Sequence, residues 1–238
     1  VNRMDETLQN GVRYDARHAA AYSAKIRALI PGYELLHQLS SELLLATLPA
    51  SARVLVAGSG TGEELLRYAA AAPGWQLSGI EPSADMNALA QARCEEAGLL
   101  ARVQLLPGKV GEQPLPAASF DAATSLLVLH FLPDDGSKAA YLQTLAAALR
   151  PGGVLLLADL GGERGEAGFE QLFEAWYQQQ CRSQTRRDRV ELDFAHLRQH
   201  VYPLSAARRA ELLQQAGLVP GPEYWRAFGL AALLARKA

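Results

Sequence analysis

The sequence predicts an α/β fold, a mostly parallel sheet with helices on both faces. Three observations predict it. Strand-like and helix-like segments alternate from Arg53 to about Leu160. The strand candidates are short, apolar and uninterrupted, as in sheets buried on both faces. The first of them, ARVLVAG, breaks into SGTG and restarts as a helix. Alternation at this spacing calls for parallel strands joined by crossover helices.

The elements follow in order. Residues 1–50 are mostly helical in pattern and precede the first strand. EELLRYAAAA is the helix after that strand, stopped by Pro73-Gly74. WQLSGIE is the second strand. Pro82-Ser83-Ala84-Asp85 then opens the helix MNALAQARCEEAGL, with Ser83 as N-cap and Gly98 past its end. ARVQLLPG is the third strand, followed by the Pro-rich loop GEQPLPAAS. FDAATSLLVLHFL holds the fourth, and Pro133-Asp134-Asp135-Gly136 punctuates it. SKAAYLQTLAAALR is a helix that Pro151-Gly152-Gly153 ends, and GGVLLLADL is the fifth strand. FEQLFEAWYQQQCR, ELDFAHLRQHV and LSAARRAELLQQAG are helical in pattern. YWRAFGLAALLARK closes as strand, turn at Gly229 and strand, an antiparallel pair for the sheet edge.

The 238 residues, 49% of them hydrophobic, suffice for one large α/β core. A formal net charge of −2 and a pI near 6.2 carry no polycationic signal for nucleic acid. No apolar run approaches the ~20 residues of a membrane helix. The polar start VNRMDETLQNG shows no signal-peptide pattern. Cys94 and Cys181 lie far apart, so a disulfide framework is not expected and a reducing cytoplasm is the simplest setting. Together with scattered histidines they provide no metal-ligand spacing, so no metal is expected.

Gly58, Gly60 and Gly62 make G-x-G-x-G directly after a strand. Glycine there permits strained dihedrals and a close approach of ligand to backbone. The dinucleotide fingerprint G-x-G-x-x-G would place its third glycine at position 63, where Glu63 stands. A carboxylate at that helix N-terminus repels a pyrophosphate, which argues against NAD. Glu81 ends the second strand roughly 20 residues further on, where an acid accepts hydrogen bonds from both ribose hydroxyls. The ligand should therefore be a nucleoside with no phosphate at the loop. The plainer reading is a tight turn and a surface carboxylate.

With these motifs in order, the sequence resembles the class I S-adenosylmethionine-dependent methyltransferases. VLVAGSGTG, GIEPSADMNALAQAR, LLPGKVGEQPLPAASFDAATSLLVLHFLPDD and LRPGGVLLLADL are similar to successive motifs of that family. The resemblance implies a Rossmann-like, seven-stranded, mostly parallel sheet with an antiparallel edge strand. It implies one domain over 1–238: an N-terminal helical lid (1–50), a cofactor-binding core (51–160), a helical insert (161–203), and a last helix with a C-terminal strand pair (204–238). It also implies S-adenosylmethionine as cofactor. Ala57, Gly58, Ser59 and Gly60 would cradle its methionine part, and Glu81 would hold the ribose. Pro82 and Met86 would pack near the adenine, with Lys109 and Val110 along its edge. Leu126 and Leu127 would face the sulfonium end. Two positions depart from the family pattern. Val56 stands where an acid usually helps organise the methionine amino group. Lys109 stands where an Asp often accepts from the adenine amine, and Lys has no acceptor. Adenine recognition then falls to backbone groups at Lys109-Val110. Glu63 is the candidate to hold the ammonium, against the simpler reading of a favourable charge at a helix N-terminus.

A narrower resemblance is carried by IPGY (Ile30 to Tyr33), HFLPDD and EYWRAFGLAALLARKA. These are similar to the carboxy-S-adenosylmethionine synthases of tRNA wobble-uridine modification, and would make Tyr33 a cofactor contact. That group needs an arginine near the position of Phe194. Arg198 lies about one turn on and Arg189 before it, so ordinary methyl transfer is the expected reaction. Such transfer is an in-line displacement that needs positioning and exclusion of water. A base is required only for an acceptor protonated at working pH. His130 follows the fourth strand, at the strand ends where open α/β sheets bind ligands, and is the candidate base. Otherwise it bonds to backbone or packs on the cofactor.

Phe169, Phe173, Trp176 and Tyr177 either dock their helix or wall a substrate pocket. Tyr14 and Tyr22, with Arg13 and Arg17 nearby, are expected to pack. Arg182, Arg186, Arg187 and Arg189 read as a solvated helix end. The expected function is methyl transfer to a small-molecule acceptor. The alternatives are a carboxy-S-adenosylmethionine synthase-like enzyme and a non-catalytic cofactor-binding protein. No membrane partner is expected, nucleic acid is disfavoured, and a homodimer stays open.

Overall fold

The computed structural model describes residues 24–112 and 114–238. The expectations for Arg13, Tyr14, Arg17 and Tyr22 lie outside the described residues. Residues 24–29 are helical and lead into α1 (Tyr33–Thr47). Then come β1 (Arg53–Ala57), α2 (Glu63–Ala71), β2 (Gln76–Glu81), α3 (Ala84–Glu96) and β3 (Val103–Pro107). β4 (Phe120–Leu126) runs into a 3₁₀ turn (Leu129–Phe131), followed by α4 (Ser137–Ala148) and β5 (Leu149–Leu160). The chain closes with α5 (Ala167–Ser183), α6 (Arg187–His200), α7 (Ala206–Gln215), β6 (Leu218–Ala227) and β7 (Leu230–Lys237).

Among the described residues, seven strands form one sheet in the order β3-β2-β1-β4-β5-β7-β6. β1 pairs in parallel with β2 and β4, and β2 with β3. β7 runs antiparallel to both β5 and β6. The expected seven-stranded, mostly parallel sheet with helices around it is the observed architecture. The described residues group into two compact units. One holds the chain up to Thr124 together with Ala148–Gly153, and the other holds Ser125–Ala147 and Val154–Ala238.

In the first unit, β1 buries Val54, Leu55, Val56 and Ala57 completely. Trp75 is buried beside them, and its indole N–H donates to Pro49 O at 3.0 Å. Gly98 ends α3 in the left-handed region at φ 68°, as a glycine past a helix end should. One expectation is corrected here. Pro151-Gly152-Gly153 does not stop a helix; α4 ends at Ala148 and β5 begins at Leu149. The physical reason is local capture, since Ser119 N donates to Ala148 O at 2.9 Å and ties that residue to the segment entering β4.

In the second unit, β5 pairs with β7 from Val154↔Arg236 to Leu160↔Leu230. Phe173, Trp176 and Phe194 are buried edge to face, with centroids 5.1–5.9 Å apart. These rings dock α5 on α6. Arg186 pairs with the exposed Asp188, and Arg187 with Glu191, as a solvated helix end does.

Candidate functional site

The first unit carries the glycine loop beyond β1. Gly58 and Ser59 both donate their backbone N–H to Ile80 O, at 2.8 and 3.0 Å, which pins the loop to β2. Gly60 sits at φ 51°, and a Cβ built there would meet nothing within 4 Å. The loop is therefore open on that side. Glu81 closes the other side. Its Oε2 accepts from Gly60 N at 2.9 Å and its Oε1 from Ser83 N at 2.9 Å. Burial pushes the Glu81 carboxyl up, and these two N–H groups oppose that rise. Ser83 caps α3 by accepting from Met86 N at 3.3 Å, which sets Pro82 and Met86 at the head of that helix.

Two buried atoms here have no hydrogen-bond partner among the described residues, Ser59 Oγ and Asn87 Oδ1. Asn87 also donates to Glu81 O at 2.5 Å. Buried polar groups without partners are costly, so a ligand with hydroxyl groups is the natural complement. A ribose bears two such hydroxyls, and these residues fit the nucleoside of S-adenosylmethionine. Gly79 on β2 lies beneath. An alanine Cβ there would come within 2.8–2.9 Å of the Ser59 side chain and 2.9 Å of Leu65. Gly79→Ala is expected to cost about 1–3 kcal/mol of stability by overpacking and to loosen cofactor binding by moving Ser59. A denaturant melt and a calorimetric titration check the two effects separately.

Glu63 and Glu64 begin α2 and have opposite surroundings. Glu63 pairs with Arg27 at 2.8 Å, Arg67 at 2.9 Å and Arg93 at 3.5 Å. Burial alone would raise its carboxyl, but Arg27 and Arg67 hold it below the ordinary value. Its charge is thus already matched by protein cations. Glu64 turns inward and accepts from Thr124 Oγ1 at 2.6 Å and Tyr68 Oη at 3.1 Å. Burial pushes it up to about 7. Tyr33 opens α1 with its ring 4.3 Å from that of His37 and under Arg27. Burial, then Glu64 and Glu63, raise the Tyr33 phenol. His37 is buried and pushed down to about 4. Lys109 gives its backbone N–H to Glu112 Oε2 at 2.8 Å, in the turn that also carries Val110. One of the backbone groups expected to meet adenine is therefore engaged within the protein.

The second unit begins just past Thr124. Leu126 is buried, and Leu127 takes φ 63°, a strained value for a branched residue. Leu127 N donates to Ala158 O at 2.7 Å. The 3₁₀ turn then presents His130. Asp159, buried near the end of β5, accepts from His130 N at 2.9 Å, and its Oδ1 lies 2.5 Å from His130 Nδ1. Asp159 Oδ2 has no partner among the described residues. Lys138 of α4, fully buried, donates to Leu129 O at 2.7 Å and Tyr202 O at 2.9 Å. Tyr202 N donates to His130 O at 2.7 Å, so the turn is held from both sides. Phe131 stands 51% exposed with its ring 4.4 Å from the imidazole.

Sequence reasoning missed Asp159, Glu64, Thr124 and Asn87. Only Asp159 carried a signal, as the one charge inside the apolar run VLLLADL.

Residues 54–153 match a family model described as a methyltransferase domain. An uncharacterized methyltransferase of Geobacillus kaustophilus is 30% identical over 161 residues, 68% of this chain and 67% of that protein. A carboxy-S-adenosyl-L-methionine synthase of Wolinella succinogenes is 25% identical over 239 residues, 98% of this chain and 96% of that protein. The chain spans 28% and 44% of the length of two further curated relatives it matches. Among solved structures, it resembles the Burkholderia thailandensis 1,6-didemethyltoxoflavin-N1-methyltransferase with 1,6-didemethyltoxoflavin and S-adenosylhomocysteine bound. That likeness has a TM-score of 0.59 at 20% identity, over 96% of this chain and 93% of the other. By relatedness, motif order and sheet topology together, the chain belongs to the class I S-adenosylmethionine-dependent methyltransferases.

Proposed function

We propose that the protein methylates a small apolar acceptor through a hydroxyl that must lose its proton, with His130 as the base. The observation that carries this reading is the His130–Asp159 pair. A carboxylate at Nδ1 requires the proton on that nitrogen, which leaves Nε2 to accept one. Asp159 then stabilises the imidazolium as it forms. When bound, S-adenosylmethionine supplies a methyl group on a positively charged sulfur. The chain's own work is to orient the acceptor, exclude water and take its proton. The exposed Phe131 ring beside His130 favours a flat, apolar acceptor.

The cofactor contacts assigned by resemblance, from Ala57 to Gly60 and at Tyr33, Glu81, Pro82, Met86, Lys109, Val110, Leu126 and Leu127, belong to the same reading. So does a single methyltransferase domain over 1–238. Among the described residues no helix is long and apolar enough to cross a membrane. Free thiols at Cys94 and Cys181 suit a cytoplasmic setting.

Calorimetry should show binding of S-adenosylmethionine and S-adenosylhomocysteine. A coupled S-adenosylhomocysteine release assay over apolar phenols and amines should then find hydroxyl methylation. No binding of either ligand would sink the whole reading; turnover confined to acceptors already deprotonated at neutral pH would remove the base.

A second reading is favoured by the near full-length likeness to the Wolinella succinogenes enzyme. It is weakened by two side chains. Phe194 is buried among Phe173, Trp176 and Tyr177, and Arg198 is paired with Glu170 at 3.1 Å. Mass spectrometry of ligand carried through purification separates the two, because a carboxylated cofactor is heavier.

A further inference from the structure

We propose that Glu64 is the counter-charge for the ammonium of S-adenosylmethionine, the residue that selects a cofactor bearing an amino acid. This deepens the S-adenosylmethionine reading and rests on it. Val56 on β1 is in register with Thr124 on β4, and both are fully buried. Neither brings charge. Thr124 Oγ1 nevertheless donates to Glu64 Oε1 at 2.6 Å, and Tyr68 Oη donates to the same oxygen at 3.1 Å. A carboxylate from the helix that follows the glycine loop is thereby held against the strand pair from which that loop departs.

The environment of this carboxylate is incomplete in charge. Glu64 is 5% exposed, and among the described residues no lysine or arginine forms an ion pair with it. Its neighbour Glu63 takes Arg27, Arg67 and Arg93 instead. Two hydroxyl donors do not offset the burial of a carboxylate, which needs a cation beside it. Burial accordingly lifts it to about 7. Among the described residues, the other titratable groups around it supply no cation. Glu63 on α2 and Tyr33 on α1 are acids, Tyr68 is a neutral donor, and His37 on α1 is pushed down to about 4 by burial. The cofactor of this family carries an ammonium with three N–H donors. Glu64 has the charge and the spare acceptor to meet it.

The plain alternative is a protonated Glu64 that merely staples α2 to β4. Glu64→Gln separates the two, because an amide oxygen still accepts from Thr124 and Tyr68 but carries no charge. The measurement is calorimetry with S-adenosylhomocysteine and with 5′-methylthioadenosine, which keeps the nucleoside and thioether but has no amino acid. We expect E64Q to weaken S-adenosylhomocysteine at least tenfold at pH 8 and to leave 5′-methylthioadenosine unchanged. Wild type should bind S-adenosylhomocysteine more tightly as pH rises from 6 to 8, and E64Q should not.

The melting temperature of E64Q at pH 8 should equal or exceed that of wild type. The sign follows from the raised carboxyl, whose stability contribution is lost as pH climbs through about 7. Thr124→Val, which unpins Glu64 without removing it, should weaken S-adenosylhomocysteine in the same selective way. Equal affinity of wild type and E64Q for S-adenosylhomocysteine overturns the proposal. Wild type that binds neither compound overturns the S-adenosylmethionine reading beneath it.

Discussion

Glu81→Ala should weaken S-adenosylhomocysteine binding about five- to 150-fold, the equivalent of about 1–3 kcal/mol for lost buried hydrogen bonds to a charged group. Two losses combine. The ribose hydroxyls lose their acceptor, and the glycine loop loses one of its ties to β2, where Glu81 Oε2 holds Gly60 N at 2.9 Å. Glu81→Gln separates them only in part. Each carboxylate oxygen accepts a different backbone N–H, from Gly60 and from Ser83. An amide offers one acceptor, and its NH₂ would face the other N–H, so glutamine should also destabilise the loop. Calorimetry and a thermal melt on both variants test this. Unchanged affinity in Glu81→Ala would remove the ribose role.

His130→Ala should lower turnover about 10²- to 10⁴-fold, the usual share of a general base, while leaving S-adenosylhomocysteine affinity intact. In the proposed reaction Asp159 would act through the imidazole, as a positioning residue. Asp159→Asn removes the charge that would stabilise the forming imidazolium, so kcat should fall while KM for the acceptor and S-adenosylhomocysteine affinity stay near wild type. A merely structural role for Asp159 would instead weaken ligand binding and thermal stability along with turnover. Asp159→Asn also serves as a stability probe, because Asp159 Oδ1 holds the His130 backbone N–H at 2.9 Å. Full turnover in His130→Ala would exclude the base.

Much of the fold was legible because buried parallel strands leave compact apolar words in the sequence. VLVA, QLSGIE and VLLLADL appear as strands within a few residues of their expected ends. The helix boundary before β5 differs from the sequence pattern because proline and glycines also occur inside strands at irregular points. Gly152 does so here at φ 75°. The glycine loop and the acid that ends β2 were legible from spacing along one chain segment. Glu64 and Asp159 were not, because their meaning depends on partners far away in sequence. Thr124 lies 60 residues from Glu64, and His130 lies 29 from Asp159. Spacing also could not tell Glu63 from Glu64, adjacent acids of which one faces three arginines and the other two hydroxyls.

The placement of β7 between β5 and β6 has a consequence for how the chain reaches this state. β6 precedes β7 in sequence yet lies outside it, so β6 has no place until β7 has docked. The two are joined through Phe228 and Gly229 and can zip locally, on the order of 1–10 μs for a hairpin. Docking onto β5 is a non-local step and slower. Until it happens, the flank of β5 from Val154 to Leu160 is an open row of backbone donors and acceptors on an apolar strand. Such edges recruit other chains. Substitutions in the Phe228–Gly229 turn should therefore show first in soluble yield during refolding, before they show in ligand affinity.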